Sequence, residues 1–120
     1  MLILVLLTGC GDTSSAGKNT YEQITQEAAK EMMDTMDDAI VLDVREQDEF
    51  DAGHIPGAIF IPDNRIDADA EKVLTDKNQL ILVYCRSGNR SKTASAALAE
   101  LGYTEVYEFG GINTWPYEVE

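Results

Sequence analysis

The chain has 120 residues, 44% of them apolar and 26% charged, with a formal net charge of −13. That length holds one domain around one core, and the balance is that of an ordinary globular protein. So acidic a chain argues against gripping nucleic acid or an anionic membrane through a broad basic surface.

The N-terminal segment stands apart from the rest. Leu2 to Leu7 is continuously apolar and is closed by Thr8-Gly9-Cys10. The run is too short to span a bilayer as a helix. Leu7-Thr8-Gly9-Cys10 resembles the lipobox of bacterial lipoproteins. That resemblance implies that the Cys10 sulfur receives a diacylglycerol and that the peptide before it is removed. Acyl chains anchor at ~0.8 kcal/mol per buried CH₂. A signal peptide usually runs about 15–30 residues with a basic start, and no Lys or Arg precedes Cys10. The segment therefore reads as a truncated lipoprotein signal, the alternative being a fortuitous apolar start. Gly11 to Asn19 reads as a flexible tether. Residues 1–19 are set aside from the fold, and the domain is expected over 20–120. The expected location is the cell envelope, facing outside the cytoplasm.

From Thr20 onward, strand and helix patterns alternate. Thr20 to Ile24 reads as a short first strand. Thr25 is a helix N-cap, and Ala28, Ala29, Met32, Met33 and Met36 then recur on one helical face, as core rather than cofactor contacts. Ala39 to Val44 reads as a buried strand. Residues 45–57 read as a loop with a helical turn at Gln47 to Asp51, ending in Gly53-His54-Ile55-Pro56-Gly57. Ala58 to Ile61 is a strand stopped by Pro62. A short helix with an acidic first turn from Asp67 places Ala70, Val73 and Leu74 inward. Gln79 to Tyr84 is the most apolar strand and so the central one. Ser91 to Leu101 is a helix with Ala94, Ala97, Leu98 and Leu101 inward and Gly102 at its stop. Glu105 to Phe109 is the last strand, and Gly110-Gly111 turns the chain into Ile112 to Trp115. This alternation predicts an α/β fold, a mainly parallel five-stranded sheet flanked by helices on both faces. Ligands in such sheets bind beyond the carboxyl ends of the strands.

Cys85 stands at such an end, followed by Arg86, Ser87, Gly88, Asn89, Arg90 and Ser91. A cysteine between a strand and a Gly-containing loop that opens into a helix faces backbone N–H groups and the positive helix terminus. Both favour the thiolate, the nucleophilic form. Arg86 and Arg90, two of nine Lys and Arg residues, add positive charge on an otherwise acidic body. The pattern suits a small anionic substrate held against a nucleophilic sulfur. The bland alternative is a buried structural cysteine. Two cysteines allow one disulfide, Cys10 to Cys85, which acylation of Cys10 forbids. No CxxC pair or Cys/His cluster suggests a metal site.

Four segments together resemble the single-domain rhodaneses, the thiosulfate sulfurtransferase family. They are Val41 to Arg45 with Glu49-Phe50, Gly53 to Ala58, Val83 to Ser91, and Gly110-Gly111-Ile112 with Trp115. The resemblance covers Thr20 to the C-terminus. It implies a rhodanese-like sheet, no cofactor, and Cys85 as the residue that carries a persulfide. The donor would be a sulfane such as thiosulfate and the acceptor a thiol or cyanide; protein partners are not indicated. The outer sulfur would rest among the N–H groups of residues 86–90. Four residues separate Cys85 from Arg90, whereas the cysteine phosphatases and arsenate reductases of this fold place one more residue there. The shorter loop suits one sulfur atom rather than a tetrahedral oxyanion. The alternative function is a persulfide-carrying or protein-binding module without significant turnover.

Several roles stay open at this level. Arg90 either faces the donor or pairs with Asp43 or Glu49. Arg86 either sits at the pocket rim or is solvated. Asp43 and Arg45 are expected as a buried pair bracing the loop, rather than in substrate contact. His54 is expected to bond backbone groups rather than form a dyad with Cys85. Ser87 and Ser91 are candidate hydroxyl donors to Cys85, with Ser91 also a helix N-cap. Trp115 is expected as a hydrophobic plug, and the 22 acidic residues mostly as solvated surface.

Overall fold

The computed structural model describes residues 20–120. The lipobox at Leu7 to Cys10 and the tether at 11–19 lie outside the described residues. In chain order the elements are β1 (Glu22–Gln23), α1 (Gln26–Thr35), β2 (Ile40–Asp43), α2 (Gln47–Ala52), β3 (Ile59–Phe60), a 3₁₀ turn (Asp63–Arg65), α3 (Ile66–Val73), β4 (Leu80–Cys85), α4 (Asn89–Glu100), β5 (Glu105–Gly111) and a second 3₁₀ turn (Ile112–Thr114). The strands form one parallel sheet in the order β1-β5-β4-β2-β3, with β4 at its centre as its apolar content predicts.

Strand alternation divides the core into two layers. Ile81, Val83 and Cys85 face α3 and α4, where they meet Ile66, Ala70, Leu74, Ala94 and Leu98. Leu82 and Tyr84 face the other way, onto Ala29 of α1, Ile55, Phe109 and Trp115. Trp115 thus plugs the second layer, as expected. Thr25 caps α1, its hydroxyl accepting from the Ala28 N–H at 3.0 Å. Gly102, at φ +102°, ends the turn after α4 where its sequence position predicts.

The structure corrects four details of the sequence reading. The helix expected from Asp67 begins at Ile66. Its inward residues are Ile66, Ala70 and Leu74, four apart, which turns Val73 out to solvent at 53% exposure. Met36 lies past the end of α1 and is exposed, so the methionine stripe stops at Met33. Ser91 is not the cap of α4. Gly88, at φ +109°, occupies that position, and the helix starts at Asn89. The glycine permits a left-handed turn that a residue with a Cβ rarely makes, so the helix starts early and Ser91 is carried inside its first turn. Gly110 and Gly111 remain in β5, pairing beyond a bulge that sets Cys85 opposite Gly111; the turn follows at Ile112–Thr114.

Candidate active site

β4 delivers Cys85 to the carboxyl edge of the sheet, where it is 1% exposed. The loop folds back at Gly88, whose N–H donates to Sγ at 3.0 Å. Of the two hydroxyls expected at the sulfur, the structure places Ser91 there, with Oγ 3.3 Å from Sγ. Ser87 and Asn89 are exposed on the loop's outer side. The loop is backed by the end of β5. A Cβ on Gly111 would stand 2.0 Å from the Arg86 carbonyl oxygen, so only glycine lets the two backbones meet. The Asn113 N–H donates to that same carbonyl at 3.1 Å.

Arg90 takes the internal partner of its two readings. Its guanidinium donates to both carboxylate oxygens of Glu49, at 2.9 and 3.2 Å, a bidentate fork. Glu49 also accepts the Glu46 N–H at 2.9 Å in a capping box that starts α2. The Arg90 guanidinium, with the Glu46 N–H, holds the Glu49 carboxyl down to about 2. The fork therefore ties α2 to the first turn of α4. Arg86 is exposed, its Nη1 3.9 Å from Glu49. With Arg45, Glu49, Gly53 and Asn113 it lines an open cleft beside the loop, of about 280 Å³.

Asp43 and Arg45 form the expected buried pair. Arg45 Nη2 reaches Asp43 Oδ2 at 2.7 Å and the Gly53 carbonyl at 2.7 Å. Asp43 Oδ2 also accepts the Tyr84 hydroxyl at 2.7 Å, and that hydroxyl accepts the Ile55 N–H at 3.1 Å. Burial, and then the Asp43 carboxylate beside it, push the Tyr84 phenol far above its ordinary value, so it stays a donor. This network fixes the residue immediately before Cys85 and the Gly53–Ile55 segment together. His54 points elsewhere. Its Nδ1 lies 3.0 Å from the Phe50 carbonyl, its Nε2 lies 3.4 Å from Glu120, and its ring stacks on Phe50 at 4.0 Å.

One residue of the site was missed from the sequence. Glu108 is only 2% exposed. Its Oε2 accepts the Ser91 hydroxyl at 2.5 Å and the Gly110 N–H at 3.0 Å, and its Oε1 accepts Gln23 Nε2 at 3.3 Å. The available signal was strand period: Glu108 shares a face with Val106, which packs into the α4 layer. Among the described residues no group of His, Cys, Asp and Glu side chains is arranged to hold a metal ion.

Fold and loop together define a parallel α/β protein that presents a cysteine under a helix N-terminus. The chain belongs to the rhodanese-like family: the model of the rhodanese-like domain matches residues 25–117. It is 35% identical over 96 residues to the thiosulfate sulfurtransferase GlpE of Coxiella burnetii, covering 79% of this chain and 87% of that protein. It is 31% identical over 111 residues to YrkF of Bacillus subtilis, named as a candidate sulfur carrier protein; that match covers 92% of this chain, which spans only 59% of that relative's length. Among solved structures, a rhodanese-related protein of Thermoplasma volcanium superposes with a TM-score of 0.72 at 31% identity, covering 83% of this chain and 98% of the other. A protein of Bacillus halodurans gives 0.73 at 33% identity, over 88% and 80% of the two chains. The five-stranded fold expected from the sequence is the fold of these relatives.

Proposed function

We propose that the protein is a sulfurtransferase that moves sulfane sulfur through a persulfide on Cys85. The observation that carries this is the sulfur itself: Sγ lies at the carboxyl end of the central strand with the Gly88 N–H aimed at it. An ionised Sγ attacks the outer sulfur of thiosulfate. A new S–S bond forms, the bond between the two donor sulfurs breaks, and sulfite leaves with its electron pair. A thiol or cyanide then takes the outer sulfur and restores Cys85, a two-step covalent cycle. Arg86, at the mouth of the cleft, attracts the dianionic donor. Arg90, held by Glu49, keeps the loop in shape. Four residues between Cys85 and Arg90 leave a cradle sized for one sulfur, which argues against phosphatase chemistry.

Incubation with thiosulfate should add one sulfur mass to the Cys85 peptide. Cys85→Ser should take none and should lose thiosulfate:cyanide activity. Equal labelling of both chains would overturn the assignment. The relationship to YrkF favours a second reading, a persulfide carrier that loads sulfur and passes it to a partner without rapid turnover. Sulfur loading with negligible cyanide turnover would select it.

The proposal includes a membrane tether. Leu7-Thr8-Gly9-Cys10 would direct acylation of Cys10 and anchor the domain in the bacterial cell envelope, facing outside the cytoplasm. Expressed with its native signal, the chain should partition into detergent, and Cys10→Ala should release it with sulfur transfer intact. A native protein found free in the cytoplasm with Cys10 unmodified would refute the tether.

A further inference from the structure

Glu108 is a buried carboxyl that the reaction above does not use. Among the described residues it has no ion-pair partner, and it lies one hydroxyl away from the sulfur. The hydrogen-bond inventory around Ser91 decides what that means. Ser91 Oγ has one proton to give. Its neighbours are Glu108 Oε2 at 2.5 Å, Cys85 Sγ at 3.3 Å and the Gly110 carbonyl at 3.4 Å. An ionised carboxylate only accepts, and so does a carbonyl. While Glu108 is ionised, the Ser91 proton therefore goes to it, the shortest and charge-assisted bond. A thiol at Cys85 then donates its S–H to Ser91 Oγ. Ionising the sulfur as well would bury two like charges across one oxygen, with a single proton between them.

We propose that Cys85, Ser91 and Glu108 form a proton relay holding one negative charge, shared between sulfur and carboxylate, with Glu108 as the positioning residue that receives the thiol proton. This rests on the reading of Cys85 as the sulfur-accepting nucleophile. In the step that arms the site, the S–H bond breaks and its proton joins Ser91 Oγ. The Oγ–H bond that pointed at Glu108 breaks, and that proton joins Oε2. No proton leaves the site and no co-reactant is needed. The thiolate then accepts from Ser91 Oγ–H and from the Gly88 N–H, while the carboxylic acid donates to Ser91. Through the sulfur-transfer cycle the charge stays on sulfur, first as thiolate and then as persulfide, and Glu108 stays protonated. The chain's one histidine is engaged with Phe50 and Glu120 and takes no part in the relay.

The charged groups facing this cluster are few. Gln23 of β1 meets the other carboxylate oxygen and is neutral. From α4, Lys92 is exposed on the cleft that Glu108 lines, and Arg90 is bound to Glu49. Neither cation pairs with Glu108.

The test is the rate of iodoacetamide alkylation against pH in the full chain, followed on the Cys85 peptide by mass spectrometry. Groups coupled by more than about one pK unit ionise in two steps, so the wild type should show a two-step rise. Glu108→Gln should show a single rise and about 10-fold faster alkylation at neutral pH, since neutral Gln frees the Ser91 proton for the sulfur. Ser91→Ala should slow alkylation, having lost the donor to the thiolate. Infrared difference spectra of wild type, thiol against persulfide, should gain a carboxylic-acid carbonyl band that Glu108→Gln lacks. Should that variant fail to fold, the wild-type spectrum decides. A one-step wild-type profile, a Glu108→Gln rate reduced equally at every pH, or a persulfide form without the acid band would overturn the relay. A wild type that takes no sulfur from thiosulfate would instead defeat the sulfurtransferase reading, while the alkylation profiles would still decide the relay.

Discussion

Glu49 shows how one carboxyl sets the pH response of the site. Its folded value of about 2 lies below its ordinary 4.5 because Arg90 grips the charged form. A carboxyl depressed on folding contributes stability that is present above the unfolded value and is lost as pH falls through the folded one. The wild type should therefore be more stable than Glu49→Gln at neutral pH, by about 1 kcal/mol for a half-buried pair. That advantage should vanish between pH 4.5 and about 2. Thermal unfolding of both chains across that range checks it; parallel curves would show that the fork adds nothing. Ser95 makes a complementary case. It is fully buried in α4, and among the described residues its hydroxyl has no hydrogen-bond partner. An unmet buried donor costs ~1–3 kcal/mol, and Ala is the better helix former. Ser95→Ala should raise the melting temperature by about 4–8 °C for each kcal/mol gained. A lower melting temperature would mean that the hydroxyl is satisfied in solution.

At the scale of elements, the site depends on strands held in fixed relation rather than on the loop alone. Asp43 of β2 pairs in register with Tyr84 of β4, and their side chains join through one hydroxyl that also receives Ile55. Tyr84→Phe removes the acceptor for a buried N–H and should cost ~1–3 kcal/mol. Arg45→Met strips the cation from a buried carboxylate and should cost more, ~3–5 kcal/mol. Denaturant unfolding of the two variants should rank them in that order. Equal losses would show that the carboxylate finds another partner.

At the scale of the molecule, the proposed sulfur transfer requires a body of charge −13 to admit a dianion. The repulsion is summed over the whole surface and acts at long range. The attraction of Arg86 acts at contact. Salt screens over about 8 Å at physiological strength and weakens the distant term more than the near one. The KM for thiosulfate should therefore fall as inert salt rises from low to physiological concentration. Arg86→Ala should raise KM at every salt concentration while leaving kcat little changed. A KM that climbs steadily with salt would place the local attraction in command.

The order of strands and helices, the central place of β4 and the cysteine-headed loop were all legible in the sequence. Each is a local property of apolar period, of turn residues, or of a cysteine set where a strand meets a Gly loop. Contiguous residues carried them, and so did the four segments of family resemblance. The partner of Arg90, the hydroxyl at the sulfur and the burial of Glu108 were decided only by the fold. Arg90 had two acidic candidates, and the capping box of α2 settled the matter by fixing Glu49 within its reach. Ser91 displaced Ser87 because Gly88 starts the helix early and rotates the later hydroxyl inward. Glu108 is one of 22 acidic residues. Only the pairing of β5 with β4 turns it under Ser91, where three hydrogen-bonded protons replace the water that a carboxylate otherwise keeps.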